Sequence, residues 1–272
     1  MHADRPSHTS QVGATFLTLP GRPAKPRCAG ITHVLDKGMP IPLLAPYLAQ
    51  RAPFIDYLKI GWGTAYIDPS IQDRIALCTS LGIHVCPGGT LFEVCAAQGR
   101  LHEFLRWAEG LGLTTIEISN GLELMSQQEK STLIRGISKD FAVLAETGAK
   151  SADAQVDPAA WAAEMEADLD AGAAMVVAEG RESGTVGLYQ RDQAVRSDLL
   201  GTLTARIPLE RLILEAPNKS QQVWLIEYLG PGVNLGNVPI EEVLPLETSR
   251  LGLRADTAAR LSVSVGQEIL AV

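Results

Sequence analysis

The sequence is poor in several things, and each shortage removes a class of protein. It holds four cysteines in 272 residues, Cys28, Cys78, Cys86 and Cys95. That is too few for a disulfide scaffold of this length, and no Cys-x-x-Cys or Cys/His spacing suggests a zinc site. The thiols read as buried or incidental ones of a reducing cytoplasm. No apolar run reaches the roughly 18 residues of a membrane span. Residues 1–28 lack a basic segment followed by an apolar one, so no signal peptide is expected. Positive charge is scarce: 23 Lys and Arg stand against 31 Asp and Glu, a net charge of −8. A nucleic-acid partner is therefore not expected, because neutralising phosphates needs a cationic face. No Gly-x-Gly-x-x-Gly follows the first β-like run and no Gly-Lys-Ser/Thr loop occurs, which argues against a nucleotide-binding doubly wound sheet. No Ser–His–Asp or Cys–His constellation stands out.

What is present is regular. Hydrophobic residues make up 46% and charged residues 20%, close to the globular norm. Residues 1–28, with their Pro, Ser and Gly, read as a loose, flexible N-terminal arm. From 29 to 272 short β-like runs alternate with amphipathic stretches. The runs are ITHVLD (31–36), YLKIGWG (57–63), IHVCPGG (83–89), TIEISNG (115–121), FAVLAETG (141–148), MVVAEGRE (175–182), RLILEAP (211–217) and VNLGNV (233–238). Helical periodicity falls between them at 69–82, 101–112, 126–140, 158–173 and 219–230. Ser126 with Glu129 forms a capping-box pattern, and Asp157-Pro158 pairs an N-cap with Pro at the first helical position. Eight βα units in about 245 residues match one closed α/β barrel of the (β/α)8, or TIM, type. A doubly wound open sheet is the alternative, and no linker divides the chain.

In such a barrel the active site lies at the C-terminal ends of the strands, and the unusual residues of this chain collect there. Asp36, Glu146, Glu179 and Glu215 recur at strand ends, with Lys37, Lys150, Arg181 and Lys219 beside them. Alternation puts Ile116 and Ile118 on the outer face, so Glu117 and Ser119 point inward. Likewise Leu58, Ile60 and Trp62 share the outer face and Lys59 points inward, which predicts a Lys59–Glu117 pair in the mouth. Carboxylates mixed with cations suit a divalent metal and an anionic substrate. His33 reads as a core histidine; His84 and His102 have no partner spacing.

Several strand ends resemble those of the phosphosulfolactate synthase family, which also includes plant heat-stress-associated proteins. The matching stretches are VLDKG (34–38), KIGWGT (59–64), PGGTLFE (87–93), EISNG (117–121), AEGRESG (178–184), EAPNKSQQVW (215–224), VNLGNV (233–238) and the LET..LGLR.DT segment (246–257). The resemblance implies a (β/α)8 barrel that joins sulfite to phosphoenolpyruvate with Mg²⁺, giving (2R)-phospho-3-sulfolactate, an early step toward coenzyme M. It assigns catalysis to Lys150, which follows the strand-five Glu-x-Gly. Glu146 and Glu179 are the favoured metal ligands. Lys37, Lys59, Glu117, Arg181, Lys219, Asn234 and Asn237 are the candidates for substrate binding, with the phosphate near strands seven and eight. Ala65, Asn120 and the ETGAK segment depart from the family pattern and bear on the second substrate. The alternatives are the same barrel adding another nucleophile to phosphoenolpyruvate and a non-enzymatic stress-associated protein. A cytoplasmic location is expected, and a homo-oligomer is left open.

Overall fold

All eight β-like runs contain a strand. In the computed structural model, which describes residues 16–148 and 156–261, these are β1 (Thr32–Asp36), β2 (Tyr57–Ile60), β3 (His84–Pro87), β4 (Thr115–Ile118), β5 (Ala142–Thr147), β6 (Met175–Ala178), β7 (Leu212–Glu215) and β8 (Asn234–Pro239). They are parallel and ordered β3-β2-β1-β8-β7-β6-β5-β4. The neighbour order follows the chain order around a ring, without the reversal of a doubly wound sheet. The protein is thus an α/β barrel of the (β/α)8 type, nearly closed, with β3 and β4 flanking the seam.

The strands alternate as their sequences predict. Ile116 and Ile118, Val143 and Ala145, Val176 and Ala178, and Leu212 and Leu214 face outward into one large core against the helices. Leu144, Met175, Val177 and Ile213 face inward and, with Ile31 and Cys86, form a small second core inside the barrel. Above this plug the inward positions turn polar: Lys59, Glu117, Glu146 and Glu215 are all buried. The change from apolar to charged along each strand separates floor from mouth.

The helices are α1 (Ile41–Arg51), α2 (Thr64–Ile67), α3 (Ile71–Ser80), α4 (Gly89–Ala97), α5 (Leu101–Gly110), α6 (Gln127–Ile137), α7 (Pro158–Asp170), α8 (Ser197–Arg206), α9 (Lys219–Leu229) and α10 (Val243–Arg250). Ser126 and Glu129 make the predicted capping box at α6, and Asp157 caps α7 through the amides of Ala159 and Ala160. Helices α1, α4, α8 and α10 carry no strong sequence signal of their own. α4, for example, is apolar nearly all round, and only its packing distinguishes it from a buried strand. Among the described residues no helix is long and apolar enough to cross a membrane.

The described part of the N-terminal arm is fastened beneath the barrel. Arg22 pairs with Glu247 at 2.8 Å, Arg27 pairs with Asp56 at 2.9 Å, and Lys25 donates to the carbonyls of Ala52 and Ile55. Its Pro and Gly content suggested looseness, but these cations are held by tertiary partners far away in sequence.

Candidate active site

Lys59 is the centre of the polar layer. It points inward from β2, and its Nζ lies 2.9 Å from Glu215, 3.1 Å from Glu117 and 3.6 Å from Glu146. The predicted Lys59–Glu117 pair is present, but as one arm of a four-residue cluster. Burial alone would lower the Lys59 pKa; Glu117, Glu215 and Glu146 together hold it well above the ordinary lysine value, so the ammonium stays charged. Burial also raises the carboxyls of Glu117, against the pull of Lys59, and of Glu146, where Glu117 and Glu179 add to it.

Glu117 and Glu215 each spend one oxygen on Lys59 and the other on backbone amides beyond the strand ends. Glu117 Oε1 accepts from Gly89 N at 2.8 Å, a bond that crosses the β3–β4 seam. Glu215 Oε2 accepts from Gly180 N at 2.8 Å and Arg181 N at 3.0 Å. The Gly88-Gly89 pair lets β3 come this close. A Cβ on Gly88 would lie 2.7 Å from Trp62 N, and one on Gly89 would lie 2.4 Å from Ser119 Oγ.

A cavity of about 170 Å³ opens above this cluster, lined by Lys59, Glu117, Glu146, Glu179, Arg181, Glu182, Glu215 and Asn237, together with Leu35, Trp62, Thr90 and the glycines 61, 88 and 89. Among the described residues five non-glycine positions have positive φ, and three of them, Trp62 (52°), Arg181 (55°) and Asn237 (51°), line this cavity. Left-handed backbone at non-glycine residues costs energy and concentrates at functional sites. It also corrects the placement of Trp62. Strand alternation assigned it to the outer face, but β2 ends at Ile60, and the left-handed turn leaves Trp62 exposed at the edge of the mouth.

The other expected residues divide. Glu146, Glu179, Arg181 and Asn237 line the cavity; Asn237 Oδ1 is buried without a hydrogen-bond partner. Lys37 is exposed outside the lining, with its ammonium 5.9 Å from the Trp62 ring centre. Lys219 opens α9 at the rim, half-exposed and paired with Asp256 at 2.7 Å. Asn234 must be moved: it begins β8 at the floor. There its amide accepts from Ile31 N and donates to the carbonyls of Leu209 and Leu212, so its polar atoms serve the barrel's closure. Asp36 is likewise structural, bound to Arg74 and to the amides of Gly38 and Met39. Lys150 lies outside the described residues. Sequence reasoning missed Trp62, Thr90 and Glu182 as lining residues; the only available signal was their place inside or beside the long strand-end motifs.

The donor set suits a hard cation. Four buried carboxylates share the mouth with Lys59 and Arg181. Glu117 and Glu215 are engaged as described; Glu146 lies 3.6 Å from Lys59, and Glu179 lies 3.6 Å from Arg181. Mg²⁺ binds through one or two carboxylates and completes its shell with water and substrate, which fits Glu146 and Glu179 on neighbouring strands. His33, Cys86 and Glu117 also bring ligand atoms within 4.8 Å of one another, deep in the barrel. That set does not suit Mg²⁺, because burial and then Glu117 push the Cys86 thiol well up and keep it protonated, and sulfur is a poor partner for a hard ion.

The fold and its polar mouth are those of a (β/α)8 enzyme. The chain belongs to the (2R)-phospho-3-sulfolactate synthase family, whose model matches residues 20–256. It is 41% identical over 254 residues to the phosphosulfolactate synthase of Methanothermobacter thermautotrophicus, covering 91% of this chain and 98% of that protein. It is 38% identical over 244 residues to that of Bacillus subtilis, covering 89% and 97%. Among solved structures, 3-hexulose-6-phosphate synthase from Salmonella typhimurium superposes with a TM-score of 0.55 at 14% identity, over 81% of this chain and 98% of that one, a likeness of fold.

Proposed function

We propose that this enzyme adds sulfite to phosphoenolpyruvate in the presence of Mg²⁺, giving (2R)-phospho-3-sulfolactate. The observation that carries the reading is the meeting of Glu146, Glu179 and Arg181 in one cavity of a chain from this family. The sulfur of sulfite forms a bond to the methylene carbon as the C=C π bond breaks. Negative charge moves onto the carboxylate, and a proton is then delivered to the phosphate-bearing carbon. Mg²⁺ held by Glu146 and Glu179 would stabilise the charge gathering on the carboxylate. Arg181 grips an anionic group of the substrate with a planar fork of donors. Asn237 offers its amide to the phosphate side. Lys150, three residues beyond the end of β5, is the proton donor in this reading.

Sulfite is favoured over another nucleophile because two of the three departures from the family pattern fall away from the cavity, while the third, the ETGAK segment, keeps Glu146 in the lining. Ala65 is the buried residue of α2. Asn120 holds the turn at 122–125, donating to Met125 O and accepting from Leu124 N and Met125 N. Neither lines the cavity.

The test is a product assay with phosphoenolpyruvate, with sulfite or other nucleophiles, and with or without Mg²⁺. Phosphosulfolactate should form only with sulfite and Mg²⁺. Lys150→Ala should fold, still bind phosphoenolpyruvate and lose roughly 10²–10⁴-fold in kcat. A variant with near wild-type kcat removes Lys150 from proton transfer, and turnover with a different nucleophile alone replaces the proposed reaction.

A further inference from the structure

We propose that Glu215 is a positioning residue that ties the Lys59 ammonium to the backbone turn presenting Arg181. The consequence for substrate rests on the reading of Arg181 as the anion grip. The tie itself rests on geometry.

Glu215 ends β7 and is 1% exposed. Its Oε1 accepts from Lys59 at 2.9 Å, and its Oε2 accepts from the amides of both Gly180 and Arg181. An oxygen that accepts two amide hydrogens has both lone pairs used, so Glu215 is poorly placed to ligate metal as well. Its main chain is held too: Tyr189 Oη donates to Glu215 O at 2.5 Å. The turn it grips is tight. A Cβ on Gly180 would meet Tyr189 Cε2 at 2.6 Å and Glu215 O at 2.9 Å, and Arg181 sits at φ 55°. A left-handed arginine persists only where its surroundings over-determine it, and two charge-assisted amide bonds to one buried carboxylate do so. Lys59 holds that carboxylate aimed at the turn. Glu215 thereby fixes the direction from which the guanidinium enters the cavity.

Two substitutions separate the links. Glu215→Gln keeps an oxygen for the two amides but turns an NH₂ toward the Lys59 ammonium. Glu215→Ala removes both links. Amide hydrogen exchange at residues 180 and 181 reads the turn without reference to activity. Glu215→Ala should lose roughly 10- to 100-fold of protection there, the worth of a hydrogen bond to a charged group, while Glu215→Gln keeps most of it. Calorimetry should then show phosphoenolpyruvate binding about tenfold or more weaker in Glu215→Ala and substantially rescued in Glu215→Gln, on the same scale. Should Glu215→Ala fail to fold, Glu215→Asp, which withdraws the charge by one methylene, takes its place with the same expectations. Unchanged exchange at 180 and 181 overturns the proposal. So does intact phosphoenolpyruvate binding beside a collapsed kcat, which would place Glu215 in the chemical step. If the wild-type protein does not bind phosphoenolpyruvate, the functional reading fails while the exchange measurement still decides the role of Glu215.

Discussion

His33 shows how a single inward position shapes the molecule's response to acid. The imidazole is fully buried below Lys59, with Cys86 Sγ 4.0 Å from its Nε2, Tyr57 beside it and Glu117 close by. Burial, and then the Lys59 charge, hold its pKa well below 6.5. In the unfolded chain it titrates near that ordinary value. Below it the unfolded state takes up a proton that the folded state refuses, so stability falls as pH falls. The contribution is complete above about pH 6.5 and is lost by up to about 1.4 kcal/mol per pH unit below it. Urea unfolding of wild type and His33→Gln from about pH 7 to about pH 5 should show a shallower acid limb in the variant. Parallel limbs would mean that His33 does not carry it. The residue's core character was readable from its apolar neighbours in sequence. The ammonium above it was not, because Lys59 belongs to another strand.

At the scale of elements, the loop between β6 and α8 is the most constrained part of the mouth. Gly187 has φ +63°, and a Cβ there would lie 2.1 Å from Glu179 O, the carbonyl that receives Leu188 N. Gly82 has nearly the same φ, +64°, but nothing lies within 4 Å of its Cβ position. The pair separates conformational strain from collision. Gly82→Ala should cost about 1–2 kcal/mol, the left-handed penalty alone. Gly187→Ala adds an overpacking cost of roughly 1–3 kcal/mol, and by pushing on Glu179 it should also weaken the proposed Mg²⁺-dependent binding of phosphoenolpyruvate. Denaturant midpoints and calorimetry on the two variants check this, and equal losses of stability with intact binding would refute it. Helix α6 was legible because its capping box is local in sequence. The course of the 180–189 loop was not, because its shape comes from Glu215 and Tyr189 in space.

Across the whole molecule, one buried cation joins the helical layer to the site. Lys130 on α6 is fully buried, lies 2.6 Å from Glu164 and 2.7 Å from Asp168 on α7, and donates to Glu146 O at the end of β5 at 2.9 Å. Removing one partner of a buried charge network leaves the other uncompensated, which costs about 3–5 kcal/mol. Lys130→Met should lose that much in urea unfolding, and adding Asp168→Asn should recover part of it. A loss below about 1 kcal/mol would assign the pair the small worth of a surface salt bridge.

The sequence by itself determined the eight-unit barrel, the inward direction of Lys59 and Glu117, the caps of α6 and α7, and the end of the barrel where the chemistry gathers. Each of these follows from local rules: a two-residue strand period, a cap within four residues, and small or polar residues where strands stop. Only the tertiary structure decided which carboxylate meets which cation. Lys59 and Glu215 are 156 positions apart, and no spacing announces their bond. Closure of the sheet likewise sent Asn234 to the floor, although it is only three positions before Asn237, which lines the cavity. A strand crosses the barrel from floor to mouth within a few residues, so a short motif can span both ends. Trp62 shows the same limit from the other side, since alternation predicts facing only while the strand lasts, and a left-handed turn just beyond it put this exposed residue at the edge of the cavity.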